Sequence, residues 1–124
     1  VRQDEPLHLL SAGVRALRAA AAQLGKAYRW GAEGPRNFDC SGLTSFSFLQ
    51  AGITLPRSSS QQARVGRPVA LSDLQPGDLV FFHSPVSHVG IYAGGGKMIH
   101  APQTGDVVRY STVNRSTFSG ARRL

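Results

Sequence analysis

Leu7, Leu10, Val14, Leu17, Ala21 and Leu24 recur at steps of three and four, which lines one face of a first helix. Pro6 suits its first turn, and Gly25 followed by Lys26 suits its end. Tyr28-Arg29-Trp30-Gly31 then leads into a Gly/Pro/Asn loop from Ala32 to Asn37. A second helix is predicted from about Ser41 to Ala51, stopped by Gly52, with Leu43, Phe46 and Leu49 as its buried stripe. Asp39 and Ser41 stand at its start as capping residues. Pro56-Arg57-Ser58-Ser59-Ser60-Gln61-Gln62 has the form of a turn, a serine cap and a short third helix.

After Gly66 the period changes from helical to extended. Gln75-Pro76-Gly77-Asp78 is a turn and Leu79-Val80-Phe81-Phe82 a buried strand. His88 to Tyr92 and Lys97 to His100 are two strands joined through Ala93-Gly94-Gly95-Gly96. Val107 to Tyr110 predicts another strand, and the C-terminal stretch a last one. Helices first and strands afterwards indicate an α+β domain, with the N-terminal helices packed on one face of a central antiparallel sheet. The whole chain, 1–124, forms one domain in this reading, with a helical part at about 7–65 and a sheet part at about 78–124.

Composition changes this picture little. An apolar fraction of 41% and an aromatic fraction of 8% suit a folded globular chain, and no apolar run approaches the roughly 20 residues that span a bilayer. No signal-peptide pattern is present, and because the chain starts at Val1, a leader or upstream module is allowed for. Charge adds more: 14 Lys and Arg against 7 Asp and Glu give +7, a surface suited to polyanions such as nucleic acid, anionic lipid or an acidic cell wall. The arginines are scattered and no zinc-finger, RNA-recognition or basic-zipper pattern accompanies them, so nucleic acid is not the expected partner.

Cys40 is the only cysteine, so it forms no internal disulfide. Its position at the first turn of the second helix is one where free backbone amides and the helix dipole favour a thiolate. A lowered thiol pKa is therefore expected, and the thiol needs a base. In the glycine hairpin, a loop of Ala93-Gly94-Gly95 would pair Tyr92 with Gly96, Gly90 with Met98 and His88 with His100. That register sets the two histidines side by side on one face, His88 to take the proton of Cys40 and His100 to orient His88; a different loop length would put them on a diagonal or on opposite faces. Asp106 is the rival orienter, whereas His8 and His83 have no such partners. A Cys-His-His zinc site competes with this reading, but there is no close ligand spacing and no evident fourth ligand. No metal and no cofactor are expected.

The motifs Tyr28-x-Trp30-Gly31, Phe38-Asp39-Cys40-Ser41-Gly42-Leu43, Pro56-Arg57-Ser58-Ser59, Pro76-Gly77-Asp78-Leu79-Val80-Phe81-Phe82, His88-Val89-Gly90-Ile91-Tyr92 and Met98-Ile99-His100-Ala101 occur in that order. Together they resemble the NlpC/P60 family of cell-wall cysteine peptidases over nearly the whole chain. The resemblance implies a papain-like α+β fold and a thiol endopeptidase that cuts peptidoglycan stem peptides between D-glutamate and the following diamino acid. It implies Cys40 as nucleophile, His88 as base and His100 as third member, with Tyr28 over the cysteine and near the oxyanion. Asp39 and Ser41 resemble the residues that hold the amino end of a stem peptide. Ala32 departs from the pattern, standing where a second glycine often follows Tyr-x-Trp-Gly. A monomer at the cell envelope or secreted, held near an anionic wall by its charge, completes the expectation. Other papain-like amidases or acyltransferases, and a non-catalytic wall-binding module, are the alternatives.

Overall fold

The computed structural model describes residues 10–124. Its helices are α1 (Ala12–Ala21), α2 (Cys40–Gln50) and α3 (Ser59–Gln62). Its strands are β1 (Arg67–Val69), β2 (Leu79–Phe82), β3 (His88–Gly94), β4 (Lys97–His100), β5 (Arg109–Thr112) and β6 (Phe118–Arg123). The strands form one six-stranded sheet in the order β1-β6-β2-β3-β4-β5. All neighbouring pairs are antiparallel. This is the expected α+β arrangement of helices against an antiparallel sheet.

The first helix begins at Ala12, where Ser11 Oγ accepts the Val14 amide proton at 3.1 Å. Pro6 and Leu7, expected to open it, lie outside the described residues. Its buried positions are Ala16 and Ala20, and their small side chains let α1 lie closely on α2. Leu24, expected on the stripe, falls beyond the helix end and is 40% exposed. On α2 the buried face is Leu43, Thr44, Ser47 and Phe48. Leu49 is 57% exposed, because a strict three-residue step drifts off the face that a period of 3.6 keeps buried.

Leu79, Phe81, Val89, Ile91 and Ile99 face the helices with Leu43 and Phe48. The alternate positions Val80, Phe82 and Met98 join Val69, Val113 and Ala121 in a second, smaller cluster. The sheet is thus apolar on both faces, which explains the unbroken hydrophobic run of β2. Asp78, 2% exposed, receives two bonds from the Arg123 guanidinium at 2.7 Å each and ties β6 to the turn before β2.

Three elements differ from the sequence reading. β1 had no periodic signal, being three residues long and exposed at two of them, and it pairs with β6, which crosses back between β1 and β2. The strand expected at Val107–Tyr110 lies at Arg109–Thr112, because Val108 exchanges backbone bonds with Gly25 and Lys26 at 2.9 and 2.8 Å. The hairpin turn is Gly95-Gly96, both at positive φ (61° and 77°), with Gly94 paired to Lys97 and a bulge between Tyr92 and Gly94. Three successive glycines make this two-residue turn accessible, and it pairs Tyr92 with Met98 instead of Gly96.

Candidate active site

Asp39 starts α2 and fixes the turn that carries Cys40. Its Oδ1 accepts the Gly42 amide at 2.7 Å and the Ser41 hydroxyl at 3.4 Å. Its Oδ2 accepts the Gly31 amide at 3.0 Å and Arg57 Nη2 at 2.8 Å. Ala32 fits without the absent glycine, since its carbonyl accepts the Asp39 amide at 2.9 Å. Gly42 is required here, because a Cβ would collide with that same carbonyl. Buried Gln62 of α3 donates to the Ser41 carbonyl, the Ser45 hydroxyl and the Pro56 carbonyl, and accepts from Thr44 Oγ1 at 2.6 Å. The first turn of α2 is therefore held from both sides.

Cys40 opens into a cleft of about 380 Å³ lined by Tyr28, Trp30, Asp39, Ser41, Arg57 and Ser87, among others. The backbone amides of Val89, Ser41 and Cys40 itself lie near enough to the sulfur to favour its thiolate. The β3–β4 ladder pairs Ile91 with Ile99 and Tyr92 with Met98, and the Val89 amide, ahead of it, lies near the thiol. Ser87 and Val89 flank His88, so the thiol sits at the start of the strand that carries the histidine.

Stepping the ladder back from Ile91↔Ile99 sets Gly90 opposite His100, and His88 on its diagonal. The side-by-side register expected from the sequence is corrected to this diagonal one, but both histidines remain on one face. They meet through the space that Gly90 leaves: a Cβ there would lie 2.8 Å from Met98 Sδ and 3.3 Å from His100 Cβ. His88 Nε2 and His100 Nδ1 are 2.7 Å apart, and His100 Nε2 is 2.7 Å from Ser111 Oγ. Asp106, the rival orienter, bonds instead to Arg109 and to the Val107 amide.

Electrostatics revise one expectation. Burial raises the Cys40 thiol above its ordinary value, the neighbouring Asp39 carboxylate adds to this, and the three backbone amides do not offset it. Burial also pushes His88 down to about 4, helped by His83, and His100 down to about 4, helped by His88 and Arg109. The thiol and both histidines are thus neutral at pH 7. Burial, and behind it Cys40 and Asp39, likewise raises the Tyr28 phenol, which stays a hydroxyl donor. Among the described residues no three His, Cys, Asp or Glu side chains converge as metal ligands.

Sequence reasoning passed over Arg57 and Ser111. Arg57 was inside a quoted motif, but its bonds to Asp39 and to Ser41 (2.7 Å), and its ion pair with Glu33 (3.4 Å), span loops whose approach no local pattern reveals. Ser111 is legible only once the β4–β5 register is known.

The NlpC/P60 family model matches residues 25–122. This chain belongs to the NlpC/P60 family. It is 46% identical over 114 residues to a Corynebacterium glutamicum protein named a probable endopeptidase, covering 92% of this chain and 54% of that protein. It is 52% identical over 99 residues to the probable endopeptidase p60 of Listeria seeligeri, covering 78% of this chain and 18% of that protein. The structure of the peptidoglycan hydrolase RipB from Mycobacterium tuberculosis superposes with a TM-score of 0.84 at 30% identity, covering 90% of this chain and 64% of that one. The NlpC/P60 chain described here spans about half the length of the first of these curated relatives and less of the second.

Proposed function

We propose that this NlpC/P60 chain is a cysteine endopeptidase that hydrolyses peptidoglycan stem peptides between D-glutamate and the following diamino acid. The observation that carries it is the thiol of Cys40 at a helix start, opening into a cleft under three backbone amides and beside the strand that bears the His88–His100 pair. Relatives named endopeptidases and a similar fold named a peptidoglycan hydrolase support the substrate class.

In this reading the Cys40 sulfur attacks the scissile carbonyl while its proton passes to His88. The oxyanion forms close to the backbone amides at the start of α2 and to the Tyr28 hydroxyl. Collapse expels the amine of the diamino acid, which takes the proton from His88 and leaves a thioester. Water then attacks that thioester, its proton goes to His88, and the thiol is restored. His100 holds His88 and stabilises its transient positive charge.

Asp39 and Ser41 line the cleft, but both are bonded to Arg57. An incoming ammonium would have to displace a guanidinium from them. We therefore give them the task of fixing the Cys40 turn and Arg57, in place of direct capture of a substrate's amino end. The site of action proposed is the cell wall or the secreted medium; no helix among the described residues is long and apolar enough to cross a membrane.

Mass spectrometry of muropeptides after digestion tests the reading. The expected products end in D-glutamate on one fragment and begin with the diamino acid on the other. Products cut only at other bonds would replace the bond assignment, and no cleavage of any muropeptide would overturn the proposal.

A further inference from the structure

We propose that Ser111 is a positioning residue that selects which nitrogen of His88 carries the proton. This rests on the Cys40–His88 reading above and adds to it. The observation is an unbroken run of three contacts at 2.7 Å: His88 Nε2 to His100 Nδ1, His100 Nε2 to Ser111 Oγ, and Arg109 Nη1 to Ser111 Oγ. β4–β5 pairing sets His100 opposite Arg109 and Met98 opposite Ser111, so Ser111 lies diagonally across from His100 on the same face.

A neutral imidazole has one N–H, so the run admits two proton arrangements. In the first, His88 carries its proton on Nε2 and donates it to His100 Nδ1. His100 then carries its own on Nε2 and donates it to Ser111 Oγ, and His88 Nδ1 is left as a free base. In the second, Ser111 donates to His100 Nε2, His100 Nδ1–H donates to His88 Nε2, and His88 holds its proton on Nδ1. Nε2 of His88 is committed to His100 either way, so only the first leaves a nitrogen able to take the thiol proton. Ser111 can serve it because a hydroxyl oxygen has two acceptor sites, one for Arg109 and one for His100.

Arg109 holds the hydroxyl in place and can only donate. Without the serine oxygen His100 Nε2 loses its partner in both arrangements, but the neighbouring Arg109, a donor only, can replace Ser111 in the second and not in the first, so the first alone is left without an acceptor in a largely buried position. His100 is 7% exposed, so water does not readily take over.

Two readouts test this. For activity, Ser111→Ala is expected to lower kcat by about tenfold with KM little changed, and Ser111→Thr, which keeps the hydroxyl, to recover most of it. For the tautomer, 15N NMR of the histidine rings is recorded in the Cys40→Ala protein, with and without Ser111→Ala. Nδ1 of His88 is expected unprotonated with serine and substantially protonated with alanine. An unchanged His88 tautomer in the alanine variant would overturn the proposal, as would unchanged kcat. A wild-type protein that cleaves no stem peptide defeats the peptidase reading instead, and the NMR arm still decides the role of Ser111.

Discussion

Because burial lifts the Cys40 thiol and holds His88 at about 4, the resting site stores no thiolate–imidazolium pair. In the proposed mechanism proton transfer then accompanies attack instead of preceding it. Alkylation of Cys40 by iodoacetamide is accordingly expected to rise with pH through an inflection above the ordinary thiol value; an inflection below it would show that the helix start and its amides outweigh burial. The base limb follows the opposite sign. A histidine that stays neutral down to about 4 remains able to accept a proton in mild acid, so kcat/KM should hold from pH 7 to about 5 and fall only near 4. A fall centred near 6.5 would mean that His88 is solvated in the working enzyme. At the same scale, His100→Ala is expected to keep more activity than Cys40→Ala or His88→Ala, with His100→Gln recovering part of the loss through its amide. Cys40 and the two histidines stand out in the sequence as candidates because each sits in a short local pattern. The direction of the thiol shift does not, because it depends on how deeply the folded chain buries the sulfur and on the Asp39 carboxylate beside it.

The elements that carry the site were readable where their signals are local. The Asp39 cap, the Ser58 cap of α3 with its reciprocal Gln61 bond, and the unbroken run of β2 all follow from neighbouring residues. The boundary of β5, the existence of β1 and the diagonal histidine register depend on which distant segment supplies the partner. The register error has a definite origin: Gly94, Gly95 and Gly96 all tolerate positive φ, so the sequence allows more than one turn and only the pairing with β5 and β2 selects one. Gly90 gives that pairing its function. Gly90→Ala places a methyl against Met98 Sδ and His100 Cβ, and should separate the histidines. A fall in kcat of at least tenfold with the fold retained by circular dichroism is expected; unchanged kcat would show that the pair re-forms around the methyl. Asp39→Ala tests the other element. It removes the α2 cap and leaves Arg57 without its carboxylate, so a loss of about 2 kcal/mol in urea unfolding is expected, beyond the roughly 1 kcal/mol of a simple cap.

For the whole molecule, two buried neutral histidines couple the site to acid stability. Between pH 6.5 and about 4 the unfolded chain binds protons that the folded chain refuses, so stability falls as pH falls through that window. Each histidine contributes at most about 3–4 kcal/mol at about 1.4 kcal/mol per unit, and the two together less than twice that because they interact. Melting temperature should therefore drop between pH 6.5 and 4 in the native protein and drop less in the His88→Gln, His100→Gln double variant. The net charge of +7 acts on a different property. Arg18, Arg29, Arg36, Arg64, Arg67 and Arg115 are exposed and spread over the surface, whereas Arg57, Arg109 and Arg123 are paired with carboxylates. Exposed charges separated from a polyanion by more than about 8 Å are largely screened at physiological salt. Binding to intact anionic walls should therefore weaken as sodium chloride rises from 50 to about 500 mM. Cleavage of a small soluble stem peptide should change little over the same range, because the proposed function puts its contacts inside the cleft around Cys40 and not on the exposed arginines. Equal loss for wall and soluble peptide would place the salt-sensitive charge in the cleft, at Arg57 and Asp39, and would remove any tethering role from the outer surface.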